Sequence, residues 1–514
     1  MSVRLSMRAR SFFCLLMSGV LPAAAAIERV EVNHDHVRRL AAERAREPYR
    51  STANDLPKGL AGLSRMEELG IRFRSGEQIW GGAGLPFDLE LIHRGPLRPE
   101  AMTVREFSAT HEQTIPFSKN FFDYGDASRV GWLRSSLNFS GVRVRAAIHR
   151  PDALEEWMTF FAGAWRTIGS GQVPGAWAKG LMVDTGVTGQ TEEMPLFTDV
   201  WLGKPEPGAR RLTVHALLDT PSLTGAYQFQ ITPGPVTVAE VRAELYFRKE
   251  VALVGFAPLT TSFWYGENTP RPPGLLWPER HDSDGLLVRN RGQAPLWRPL
   301  GNPVGVQRSE LATEALEGFG LMQRDRDPAH YQDLDMPYHQ KSSVWIEPIG
   351  RWGAGSVRLI ELPNPQGADR NVIAFWTPAA QPDISRPVSI AYRVIWGGEP
   401  DAARTSEPLA KVVSTRSGVL PGAAGEGAGR ARLFWVDFQG EAAAGLQDSE
   451  VSAQVGARNA RVLAHRLMRN PALPGWRVEI EVEADEGARL VELSCQLRRG
   501  YEALSESWTS PWTP

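Results

Sequence analysis

The chain has 514 residues, with 57 basic against 59 acidic side chains and only two cysteines. This near balance of charge excludes the broad basic surface that nucleic-acid binding requires, and the length is ample for more than one sizeable hydrophobic core. Glycine (49) and proline (38) are frequent enough to punctuate many short strands, so the expected class is all-β.

The first 26 residues divide into three parts: Arg4, Arg8 and Arg10, then the apolar run 11–21, then Pro22 and four alanines. This is the pattern of a cleavable export signal, with cleavage expected after Ala26. The apolar run is shorter than the ~20 residues that span a bilayer, and no other run approaches that length, so the mature chain is not expected to span a membrane. Without the signal, 54 basic residues face 59 acidic ones and Cys495 is the only cysteine left. It alternates with Val491, Leu493 and Leu497, which is the position of a core residue.

A helix is expected from about His34 to Arg46, capped by Asn33, with Val37, Leu40, Ala41 and Ala45 on one face and Pro48 beyond its end. A second is expected after Asp152, whose pairing with Glu155 reads as a capping box ahead of Trp157, Met158 and Phe161. Strands are expected at 212–218, 226–232, 238–247, 344–348 and 388–396. A boundary follows at 397–404, rich in Gly, Pro and Ala. Beyond it Trp476, Val478, Ile480 and Val482 alternate strictly with Arg477, Glu479, Glu481 and Glu483, the signature of a sheet with one wet face. Five or more such segments in about 110 residues point to an immunoglobulin-like sandwich. The Gly/Ala-rich stretch 418–430 is expected to be a hairpin loop.

No serine-hydrolase elbow, zinc-protease motif, paired CxxC or phosphate loop is present, and no metal or cofactor is expected. Residues 263–376 instead interleave aromatics with carboxylates and arginines, the combination that sugar chemistry uses: carboxyls for acid and base work, aromatic faces and guanidinium donors to hold the rings. Asp282 and Asp284 leave a Pro-rich loop just before a strand. They are either catalytic or part of an ordinary Asp-Ser-Asp-Gly turn. Asp325, Asp327, Asp333 and Asp335 read as a solvated loop, with spacing that does not match a calcium loop. Trp345, Trp352 and Trp376 read as core or as sugar platforms.

Long ordered segments carry a resemblance: APLTTSFWYGEN (257–268), WPERHDSDGL (277–286), WRPLGNP (297–303), GFGLMQRDRDPAHYQDLD (318–335), SVWIEP (343–348) and NVIAFWTP (371–378), with IGSGQVPGAWAKGLMVDT (168–185), RLTVHALLDTPSLTGAYQFQITPG (211–234) and LAAERAREPY (40–49) upstream. They resemble the periplasmic glucan biosynthesis family over nearly the whole mature chain. The resemblance implies a large mutarotase-like β-sandwich (27–398), a linker (399–404) and an immunoglobulin-like domain (405–514). It also implies a periplasmic location and a part in making osmoregulated glucans with a β-1,2-linked backbone.

Family members are inverting hydrolases of that glucan or transfer it, which would make Asp282 one catalytic carboxylate. The second lies directly before the NVIAFW-type strand, where this chain has Arg370, with Asp369 one residue earlier. Either Asp369 serves or the carboxylate is missing. Glucan contacts are expected from Trp264, Tyr265, Glu267, Asp284, Arg298, Asp325, Tyr331, Trp345, Glu347 and Trp376. The alternative is a non-catalytic factor that guides nascent glucan and docks the inner-membrane synthesis machinery.

Overall fold

Strands dominate the computed structural model, which describes residues 31–514 except 109–110, 131–132, 404–407 and 422–429. The expected export signal lies outside the described residues, as do the end of the expected linker and most of the 418–430 loop. The strands flanking that loop, Lys411–Val419 and Ala431–Gln439, pair antiparallel. No helix among the described residues is long and apolar enough to cross a membrane.

The fold is all-β and its larger part is two facing sheets. One has ten strands, running from Phe87–Ile92 through Gly141–Ala146, Glu155–Phe161, Trp165–Thr167, Trp177–Ala178 and Val254–Thr261 to Val372–Pro378, Gly355–Glu361 and Gln307–Thr313. The other has fifteen strands. Their apposed faces bury Leu89, Val142, Phe160 and Leu259 against Val200, Val214, Phe229, Val241 and Val394. Trp165 of the first sheet meets Trp396 of the second edge to face, centroids 4.8 Å apart, an arrangement that adds to simple area burial.

The C-terminal strands continue the larger sheet. Ser507–Trp512 pairs in parallel with Leu296–Pro299, and Val491–Arg499 and Ser452–Arg458 follow outward. A separate four-stranded sheet, built around Ala431–Gln439 and Gly475–Ala484, packs over them. The core between them contains Val478, Ile480, Val482, Cys495 and Trp508, together with Leu287, Trp297 and Trp345.

The first helix forms as expected, His34–Arg44, with the Asn33 side chain accepting from the His36 N–H at 2.9 Å. Val37 and Ala41 are its buried face. The second expected helix does not exist: Glu155–Phe161 is a strand between Gly141–Ala146 and Trp165–Thr167. Trp157, Met158, Thr159 and Phe160 are all buried, so the segment lacks the alternation that marks a half-exposed strand. Burial on both faces produced apolar spacing that also fits a helix.

Candidate functional site

Asp282 is fixed by the sheet behind it. After the strand Val254–Thr261 the chain forms Phe263–Tyr265, which pairs with Arg280–His281. Asp282 donates its backbone N–H to the Ser262 carbonyl at 2.8 Å, and the Ser283 hydroxyl lies 3.0 Å from that of Thr261. The Asp282 carboxylate remains partly exposed and forms an ion pair with Lys341 at 3.1 Å.

The charge of Asp282 also acts on two arginines. Burial lowers the pKa of Arg370, and the charge of Asp282 opposes that shift; burial lowers Arg166 to about 10, with Asp282 among the charges opposing it. Both guanidiniums lie against the ring of Trp177, at 4.6 and 4.3 Å from its centroid. An arginine so placed keeps its proton and cannot act as a base.

A polar row leads away from this point along one face of the ten-stranded sheet. Glu90 stands opposite Arg143, Arg143 opposite Thr159, Thr159 opposite Arg166, and Trp177 opposite Thr260. Alternate residues of the same strands, such as Leu89, Val144 and Phe160, point into the core.

The other expected site residues are distributed as follows. Asp369 is exposed; its carbonyl accepts from the Asn364 side chain at 2.9 Å, and its side chain has no partner among the described residues. Trp264 is half-buried over Gly367, where a Cβ would come within 2.2 Å of the ring, so only glycine fits. Glu347 pairs with Arg393 at 3.3 Å.

Asp325 holds His330 at 2.6 Å, and Glu279 brings a third ligand atom within 4.8 Å of those two. Asp327 and Asp333 accept from nearby backbone N–H groups, as turn residues do. Tyr265, Tyr331, Trp345 and Trp376 are buried and do not present a face at the surface near Asp282. Their polar atoms look inward where they are paired: the Tyr265 hydroxyl donates to the Trp277 carbonyl, and the Trp376 indole N–H donates to Thr313. Arg298 is likewise buried and grips Glu492 with two bonds of 3.0 Å, fastening the larger sandwich to the C-terminal strands.

Glu267 and Asp284 belong to a buried network behind Asp282. The Asp284 carboxylate accepts from the Arg324 and Asp325 N–H groups, both at 2.8 Å. Burial, then the charge of Glu279, pushes Glu267 up to about 7, and burial raises Asp284. Burial alone would lower His281, but its bond to Glu279 at 3.0 Å and the charges of Asp284, Glu279 and Glu267 lift it to about 9. The ring of His281 stacks on Phe263, so this network anchors the segment that carries Asp282.

Glu361 offers a separate test of buried charge. It is 1% exposed, and burial pushes it up to about 7. A folded-state pKa above the unfolded one means that the stabilising contribution is complete below pH ~4.5 and is lost as pH rises through 7. The size is about 3 kcal/mol at most. Glu361→Gln is therefore expected to be more stable than the parent at pH 8 and no more stable at pH 4.5, read from urea midpoints at the two pH values.

Sequence reasoning missed Arg166, Trp177 and Lys341. Trp177 and its neighbours do fall within the segment 168–185 that carries the resemblance. Residues 32–512 match the family described as periplasmic glucan biosynthesis protein, MdoG. The chain is 37% identical to the glucans biosynthesis protein G of Rhodopseudomonas palustris (strain BisA53), over 93% of this chain and 92% of that one. It is 36% identical to glucans biosynthesis protein D 1 of Ralstonia nicotianae, over 97% and 94%. It is 34% identical to the glucans biosynthesis protein G of Vibrio cholerae serotype O1 (strain M66-2), over 94% and 87%.

Proposed function

Because the chain belongs to the periplasmic glucan biosynthesis protein family, we propose that it is exported, works in the periplasm and binds a β-1,2-linked glucan at the surface around Asp282. The polar row from Glu90 to Arg166 would carry the chain of sugars, with the guanidiniums held on the buried Trp177 supplying donors. The observation that carries this reading is Arg370, which feels the charge of Asp282 and stands just before Asn371 and the strand Val372–Pro378, where the resemblance expects the second carboxyl.

Inverting hydrolysis uses one carboxyl as acid and one to activate water, ~6.5–9.5 Å apart. Asp282 here pairs with Lys341 and acts by its charge on Arg166 and Arg370 instead. Such a site holds and orients glucan and is poorly equipped to cut it. The function favoured is therefore a glucan-binding, chain-guiding role. Hydrolysis or transfer with Asp282 and Asp369 is the second reading, favoured by the exposure of Asp369 in the same loop as Arg370.

The test is direct. Purified protein is titrated with linear β-1,2-glucan by calorimetry, and the same mixture is resolved by chromatography after prolonged incubation. Binding without shortened products is expected, with binding weakened about tenfold in Asp282→Asn as its pair with Lys341 is lost. Accumulation of short products from the parent protein, abolished in Asp369→Asn, would establish the second reading instead.

A further inference from the structure

Away from Asp282, the loop 299–308 and the C-terminal strands enclose a cavity of about 540 Å³, a size typical of small-molecule sites. Neither Asp282 nor the cations around it line this cavity.

Three arginines do line it, Arg308, Arg432 and Arg489. None of these three has a carboxylate partner among the described residues. The Arg432 guanidinium stands over the ring of Trp512 at 5.5 Å, and burial lowers its pKa with no acid to oppose the shift. Val304 and Val306, with the half-buried Pro303, supply an exposed apolar wall, while Phe434 and Trp512 are buried behind it and reach the cavity only at their edges.

Glu361 is the carboxylate in the lining, and it does not neutralise the arginines. One of its oxygens accepts from the Gly301 N–H at 2.6 Å and the other from the Gln307 amide at 3.0 Å. Burial keeps it partly protonated near neutral pH. The wall thus combines unpaired guanidinium forks, which match phosphate, sulfate or carboxylate oxygens two at a time, with exposed apolar surface. A free inorganic anion would use the first feature and leave the second idle.

We propose that this cavity is a second ligand site, which binds an anionic sugar: the arginines take a phosphate, sulfate or carboxylate group and the exposed Pro303–Val306 wall takes the apolar face of the ring. The assignment stands on the cavity alone and does not depend on what Asp282 does.

Calorimetry with the full chain tests it, using glucose 6-sulfate, whose charge is fixed across the accessible pH range, alongside glucose and inorganic sulfate. Glucose 6-sulfate is expected to bind, glucose not to bind, and sulfate to bind about tenfold more weakly. Arg432→Ala and the more exposed Arg489→Ala should each weaken glucose 6-sulfate about tenfold. Arg210→Ala, on an exposed turn outside the cavity, should leave it unchanged. No binding, or binding indifferent to both arginine variants, overturns the site. Equal affinity for sulfate and glucose 6-sulfate overturns the sugar as its ligand.

Discussion

Arg370→Asp is expected to confer cleavage of β-1,2-glucan, raising the rate of new reducing ends by about a hundredfold or more over the parent. The magnitude is that of supplying one positioned general acid or base, ~10²–10⁴-fold. Arg370 already stands where it interacts with the charge of Asp282, so the substitution exchanges a cation that cannot accept a proton for a carboxyl on the same backbone. Asp369 is not equivalent. Its backbone is pinned by Asn364, and adjacent residues leading into an extended segment direct their side chains apart.

The products should appear first as the inverted anomer, which NMR of fresh digests detects. Arg370→Asp combined with Asp282→Asn should be inactive. An Arg370→Asp protein that binds glucan as the parent does and yet makes no products would show that Arg370 does not occupy the position of a catalytic carboxyl.

Why the site was only half legible in the sequence follows from where its parts lie along the chain. Asp282 could be singled out because it leaves a Pro-rich loop at the start of a strand, and Arg370 because it breaks a matched motif. Arg166, Trp177 and Lys341 come from three other segments, and only pairing of Trp177–Ala178 with Val254–Thr261 and the ion pair of Lys341 bring them to Asp282. No spacing rule relates such residues.

The aromatics show the opposite failure. Trp345 and Trp376 sit in strands rich in apolar neighbours, and the pattern is the same whether the ring faces a sugar or a core. Trp345 proves to fill the core beneath the C-terminal strands. The class of fold was easier. Strict alternation at 476–482 matches a strand with one buried face, Gly475–Ala484, and the Asn33 cap marked the start of the first helix, which ends at Arg44, two residues before the expected Arg46. The lost alternation at 155–161 hid a strand because both its faces are covered.

Removing one partner of the buried Arg324–Glu506 pair should be the most damaging single change to stability. Arg324 donates to both oxygens of Glu506, at 2.8 and 2.7 Å, and to the Val412 carbonyl at 3.1 Å. Its guanidinium lies 3.7 Å from the centre of the Trp297 ring. Glu506 also accepts from the Val412 N–H at 3.0 Å. The pair therefore joins the segment beside Asp284 to the first and last strands of the C-terminal region. In Glu506→Ala the enclosed guanidinium keeps only Glu399, at 4.0 Å, and the charge of Asp284, and the Val412 N–H loses its acceptor. A loss of about 3 kcal/mol, the lower end for breaking a buried pair, is expected because the charge keeps only a weaker partner, measured as a drop in the thermal and urea midpoints.

The cause can be separated from mere loss of packing. Replacing both partners by apolar residues of similar volume, Arg324→Met with Glu506→Leu, removes the charge together with its partner and should recover most of the loss. If the double variant is as unstable as Glu506→Ala, the damage lies in the bonds to Val412 and the stacking on Trp297. If Glu506→Ala costs less than about 1 kcal/mol, the value of an exposed pair, then the C-terminal strands are held by their shared core and by Arg298–Glu492 without help from Arg324.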